Sequence, residues 1–193
     1  MQSSPSTMLY QLGRGKLYIG QWSDDTTPPV SLSAVGNAPA FNVEVMKETL
    51  EHKNSMEGLN ETDAEVTIER GYTCSFTLDE MSFSNLMLFL DGTQYNNVIR
   101  ALTQENVYHE IKFVADNPGM NSGGEKYKVW HFWKAKIKSN GAKSLIKGNE
   151  FLSMQFTAIG QTDRSNHANS PFFDVTFGTS TTTSTTTTTT TTV

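Results

Sequence analysis

From Glu65 to Leu78 the residues alternate in character, with one break at Arg70-Gly71. Val66, Ile68, Tyr72, Cys74, Phe76 and Leu78 fall on one side of an extended backbone, and Glu65, Thr67, Glu69, Thr73, Ser75 and Thr77 on the other. Successive side chains of a strand point to opposite faces, so this is a long strand with one face in a core and the other toward water. Only Arg70 interrupts the apolar row, and Gly71 beside it suggests a bulge or a close backbone approach. A strand of this kind needs a second layer over its apolar face.

The same period recurs along the chain. Phe41, Val43 and Val45 alternate with Asn42 and Glu44 and read as the hairpin partner of the long strand. Further strands are expected at Lys16–Trp22, Val107–Val114, Lys128–Lys138, Phe151–Ile159 and Phe172–Phe177. One helix stands out: Ser82 can cap it, Phe83, Leu86, Met87 and Leu90 share a face, and Gly92 is placed for a left-handed C-terminal cap. A second helical turn fits Tyr95–Leu102 less well. The expected class is mainly β: two packed antiparallel sheets, as a sandwich or barrel, with one flanking α-helix. Residues 1–178 read as one domain with a polar loop at 47–62. Residues 179–193 are a Thr-rich tail with no apolar face to bury, either solvated or laid along a partner.

Composition narrows the function. Among 193 residues the formal net charge is −5, whereas a dedicated nucleic-acid binder normally carries a basic excess. A single cysteine, Cys74, gives no internal disulfide framework. Met1 to Gly13 holds no basic stretch followed by an apolar run, so no secretory leader is expected, and no apolar run approaches the ~20 residues that cross a bilayer. Charge is segregated: Glu44 through Glu69 holds eight acids against two lysines, and Glu125 through Lys147 holds seven lysines against one acid. Blocks of one sign usually mark solvated faces, but two opposite blocks of equal size also suit a head-to-tail contact between copies.

No constellation of catalytic residues emerges. His52, His109, His131 and His167 are scattered with no metal-ligand spacing, and Cys74 lies on the apolar face of the long strand. Gly119 through Lys126 falls short of a phosphate-binding loop, because Glu125 intrudes before Lys126 and a strand follows where a helix should begin. Trp130, Phe132 and Trp133 with Lys134, Lys136 and Lys138 could suggest a stacking surface for single-stranded nucleic acid. Period two instead puts Trp133, Ala135 and Ile137 toward a core and the lysines outward. No cofactor and no enzymatic activity are expected.

The order of these features resembles one family. Leu12-Gly-Arg-Gly-Lys-Leu-Tyr-Ile19 is followed by Gly36-Asn-Ala-Pro-Ala-Phe-Asn-Val-Glu-Val45, then Glu48-Thr-Leu-Glu-His52, the strand Ala64–Leu78, and Asp79-Glu-Met-Ser-Phe-Ser-Asn-Leu86. The arrangement is similar to the major tail tube protein of siphophages, closely over residues 12–92 and only in strand pattern over 105–178. The resemblance implies hexameric rings whose inner strands join in a continuous β-barrel, stacked into a hollow tube that conducts DNA during ejection. It implies a tape measure protein and phage DNA in the lumen, and tail terminator and distal tail proteins at the ends. No membrane partner is expected, and the subunits would fold and assemble in the bacterial host cytoplasm before residing in the virion. Under it, Glu65, Thr67, Glu69, Thr73, Ser75 and Thr77 are expected to line the lumen. Lys47–Thr62 becomes a reaching loop, whose Glu48, Glu51, Glu57 and Glu61 are expected to dock on a neighbour's Lys134, Lys136, Lys138 and Lys143. Two other readings stand beside it: a secretion-type ring protein on the same fold, and a monomeric β-sandwich module binding sugar or nucleic acid, which size exclusion would separate.

Overall fold

The computed structural model describes residues 15–54, 61–105, 107–116, 127–140 and 152–178. Its strands are β1 (Gly15–Gln21), β2 (Ser33–Ala34), β3 (Ala40–Asn54), β4 (Glu61–Leu78), β5 (Thr93–Tyr95), β6 (Val98–Arg100), β7 (His109–Asp116), β8 (Tyr127–Asn140), β9 (Met154–Gly160) and β10 (Phe173–Gly178), with helix α1 (Phe83–Phe89) after β4. The fold is mainly β, with two antiparallel sheets and a single helix among these residues. An eight-stranded sheet runs β2-β1-β7-β8-β9-β4-β3, with β10 also on β8, and β5-β6 form a second, two-stranded sheet.

The large sheet supplies both packed layers, because β8 belongs to each. Its Tyr127–Ala135 stretch pairs with β7, and its Ala135–Asn140 stretch pairs with β9. At the corner, Trp133 and Lys134 together stand opposite the single residue Glu110, a bulge that resets the side-chain alternation. Phe132 before the bulge and Ala135 and Ile137 after it are therefore all buried. Strict period two had placed Trp133 in the core beside Ala135. Instead its ring stacks on His167 at 3.7 Å, and its Nε1 donates to the Ser170 carbonyl at 3.0 Å.

Between the layers lie Leu17, Tyr72, Phe76, Leu78, Ile111, Phe132, Met154 and Phe156. Phe41 on β3 stacks on Phe113 of β7 at 4.9 Å, two strands far apart in sheet order, so the sheet closes over on itself. Tyr72 lies 5.0 Å from Phe132 and 5.5 Å from Phe173, and its hydroxyl donates to the Lys134 carbonyl at 3.1 Å. Gly160 makes room for that ring: a Cβ there would stand 2.2 Å from Tyr72 Cε1.

Ser82 caps α1 as expected, accepting from the Asn85 backbone N–H at 3.2 Å. The left-handed residue past the helix is Asp91 (φ 45°), not Gly92. Gly92 is required for closeness, since a Cβ would meet Ile99 at 2.7 Å. The residues packed on the core are Leu86, Leu88 and Phe89, a rotation from the predicted stripe, and Phe83 stays 39% exposed. Asn85 sets that rotation: it is buried, and its Nδ2 donates to the carbonyls of Val35 and Glu80, both at 2.8 Å. The helical turn expected at Tyr95–Leu102 is the β5-β6 hairpin, turning at Asn96 with φ 54°.

Candidate functional site

Beyond the corner, β8, β9, β4 and β3 form a four-stranded layer whose residues align in rows. Ile137-Ala158-Cys74-Val43 and Ser139-Phe156-Phe76-Phe41 face the core layer. The rows between them face away from it: Lys136-Ile159-Thr73-Glu44, Lys138-Thr157-Ser75-Asn42 and Asn140-Gln155-Thr77-Ala40. This outer face is built almost wholly of hydroxyls, amides and a few charges. Asn140 Nδ2 donates to Thr157 Oγ1 within it. Backed by a tight aromatic core, it is a polar wall that touches water without loosening the fold.

The second feature is an arm. β9 accompanies β4 only along Thr73–Leu78, whereas β3 and β4 pair from Ala40↔Thr77 to Asn54↔Glu61. The remainder is a two-stranded ribbon projecting about 30 Å at ~3.3 Å per residue. Residues 47–62 were expected as a polar loop. All of 47–54 and 61–62 are strand, because Thr49, Leu50, Thr62, Val66 and Thr67 pair across the ribbon like any hairpin residues.

A bulge divides the arm from the body. Glu48 pairs with Glu69 and Thr49 with Thr67, leaving Ile68 as the extra residue. The bulge suggested at Gly71 is absent there, and an added Cβ at Gly71 would meet only Met46 at 3.5 Å. The shift reverses the faces of β4. Glu69, Thr73, Ser75 and Thr77 share the outer polar face, while Glu65 and Thr67 lie on the face that continues from Tyr72. The six-residue lumen set is thus split into two. The reversal also puts Val66 opposite Leu50, and the arm exposes Val45 (64%), Leu50 (62%), Val66 (61%) and Ile68 (57%). Sequence reading missed this patch, because Val66 and Ile68 look like core residues until the bulge is known.

The charges sort differently from the expected blocks. Glu48 faces Glu69 on one side of the arm, and Glu51 faces Glu65 on the other. Like charges directly opposite disfavour an isolated ribbon and favour a cationic surface against it. Lys134 is engaged within its own chain: its Nζ donates to the Asp25 carbonyl at 2.6 Å and lies over the rings of Tyr108 (4.1 Å) and Trp22 (4.9 Å). Lys136 lies by Asp91, whose carboxyl is raised by burial, with Lys136 opposing that rise. Lys138 is exposed. Glu57 and Lys143 lie outside the described residues, as do the 119–126 loop and the 179–193 tail.

Beside the Lys136–Ser139 stretch of β8 opens a cleft of about 420 Å³, walled by Leu88, Asp91, Gln104, Glu105 and His109. Burial pushes the His109 imidazole down to about 4, and the Cys74 thiol up to about 12. No group of three or more His, Cys, Asp or Glu that could hold a metal occurs among the described residues.

A family model described as "Protein of unknown function UCP028589" matches residues 10–115, more than half of the chain. The chain belongs to that family. The matched stretch covers β1 through nearly all of β7, including the arm and α1, and leaves β8, β9 and β10 outside. No curated protein matches the chain. Among solved structures, it is similar to the PVC sheath-tube complex of an extracellular contractile injection system in the extended state (TM-score 0.48, 9% identity, 92% of this chain and 100% of that chain). It is similar also to the tube terminating cap of the anti-feeding prophage (TM-score 0.46, 10% identity, 88% and 93%). A third is the tail of an empty GTA particle with C6 symmetry (TM-score 0.38, 13% identity, 84% and 96%).

Proposed function

We infer that this chain is a structural subunit of a tail tube of the siphophage type. It polymerises into rings, of hexameric order by the sequence resemblance, and the rings stack into a hollow conduit for DNA. The observation that carries this reading is the four-stranded layer with one aromatic face packed and one hydroxyl-and-amide face left to water, prolonged by an arm that exposes Leu50, Val66 and Ile68. A water-filled channel needs the first property, and a monomer gains nothing from the second. The hydroxyls and amides of Thr73, Ser75, Thr77 and Thr157 offer phosphate no fixed positive charge, and Glu44 and Glu69 on the same face counter Lys136 and Lys138, so DNA would slide past. The arm's apolar residues and paired glutamates suit burial against a neighbouring copy or ring. The tape measure protein would occupy the lumen before DNA, and terminator and distal tail proteins the two ends.

Size exclusion and negative-stain electron microscopy of concentrated protein test the reading. Rings or tubes with a central hole are expected, directly or on a tail-tip nucleus. A species that stays monomeric in every condition, native particles included, would contradict it and favour a binding module.

A further inference from the structure

The arm leaves the body through two cross-strand pairs of like charge. Lys47 stands opposite Arg70, and Glu48 opposite Glu69. Like charges directly across a ribbon destabilise it unless a neighbour on the same face offsets them. Here none does. The pairs to either side of Lys47–Arg70 on its face are Val45–Tyr72 and Thr49–Thr67, and those beside Glu48–Glu69 are Met46–Gly71 and Leu50–Val66. The third like pair, Glu51–Glu65, differs: Lys53 follows Glu51 on the same face, and Thr62 Oγ1 donates to Glu51 Oε2 at 3.4 Å.

The sections on both sides of these two pairs are firmer. On the body side Tyr72 is buried, packs on Phe132 and Phe173, and donates its hydroxyl to the Lys134 carbonyl. On the arm side Thr49–Thr67 and Leu50–Val66 are pairs that favour a ribbon. The bulge falls at the same place, since Ile68 has no partner on β3 and the ladder is interrupted there. All four charged residues are exposed, and no third strand among the described residues lies along β3 or this part of β4 to hold them.

We propose that Lys47, Glu48, Glu69 and Arg70, with the Ile68 bulge, form an electrostatic hinge on which the arm swings against the body. The hinge belongs to the single subunit, so it goes beyond the tube reading and does not depend on it. A hinge needs a few residues that yield between two rigid parts. Repulsion supplies the yielding section, and it acts on both faces of the ribbon, the basic pair on one and the acidic pair on the other. A partner that sets acids against the first face or bases against the second fixes the arm's direction. A free subunit samples several directions, and a docked one keeps a single direction.

Swapping two adjacent residues tests this without altering composition or net charge. Glu69→Arg combined with Arg70→Glu turns both like pairs into opposite pairs. Amide hydrogen exchange at Thr49, Leu50 and Val66 of the free subunit is expected to slow roughly tenfold, as each pair passes from repulsion to attraction. Exchange in β8 and β9 is expected to stay as in the wild type. Spin labels at Lys53→Cys and Thr176→Cys, with native Cys74 buried, are expected to give a broad distance distribution that narrows in the swapped protein. Salt separates charge from packing: at ~1 M, where the screening length is ~3 Å, arm exchange slows in the wild type and quickens in the swapped protein. Glu69→Gln with Arg70→Gln, which leaves one charge in each pair, falls between the two and carries the test should the swap disturb the fold. A narrow distribution in the wild type, or the same arm exchange in all three proteins, overturns the hinge. Subunits that show the hinge but never form rings remove the tube reading and leave the hinge standing.

Discussion

His109 lies at the start of β7, opposite Ala135 across the bulged corner of β8, 7% exposed, with its Nδ1 unmatched by any hydrogen-bond partner. Burial holds its folded pKa near 4, against ~6.5 in an unfolded chain. Above pH ~6.5 both states are neutral and the stability is fully present. As pH falls below that value the unfolded chain takes up a proton that the folded one refuses until about pH 4, so stability drops by ~3 kcal/mol across the window. Urea titrations of His109→Gln are expected to show a shallower acid limb over that window than wild type. An unchanged slope would contradict the burial argument. Gly160 is the other residue on which the corner depends. Gly160→Ala drives a methyl into the Tyr72 ring, 2.2 Å away, and is expected to cost about 1–3 kcal/mol in the denaturant midpoint. A neutral substitution would mean that the ring has room to move. The alternating sequence pattern identifies Tyr72 as core, yet it holds no sign that Gly160 must face it from β9.

At the scale of elements, the arm and α1 behave differently. Along the arm the described strands β3 and β4 pair only with each other, and a two-stranded hairpin is marginal in water. Replacing residues 48–69 with Asn-Gly, a tight turn joining Lys47 to Arg70, removes it at a position where the two strands already pair. The melting temperature of the monomer is expected to stay within a few degrees, while stacking into tubes is lost. A large fall in melting temperature would show that the arm braces the body. Helix α1, by contrast, is bound to the body through a buried amide. Asn85→Ala leaves the carbonyls of Val35 and Glu80 without that donor and is expected to cost about 1–3 kcal/mol by denaturant unfolding. A loss of a few tenths would mean that other donors or water satisfy them. The helix and its Ser82 cap were legible in the sequence, because both are local. Its rotation was not, because Asn85 is buried by residues of the β2–β3 connection fifty positions away.

For the whole molecule, the legible part was whatever period two can carry: the strands, the pairing of β3 with β4, and a mainly β class with one helix. What escaped were the points where alternation is reset. Ile68 and the Trp133-Lys134 corner each add one residue, and nothing local marks either. Those two bulges moved Glu65 and Thr67 off the outer face and Trp133 out of the core. The position of Lys134 over Tyr108 and Trp22 likewise depends on strands that meet only in the folded sheet. The central claim is that the polar layer of β8, β9, β4 and β3 lines a channel. Cryo-electron microscopy of assembled tubes with helical averaging measures this directly. The account predicts Thr73, Ser75, Thr77, Thr157 and Lys138 facing the lumen, with Phe76 and Phe156 behind them. Density that placed those hydroxyls on the outer surface of the tube would contradict it.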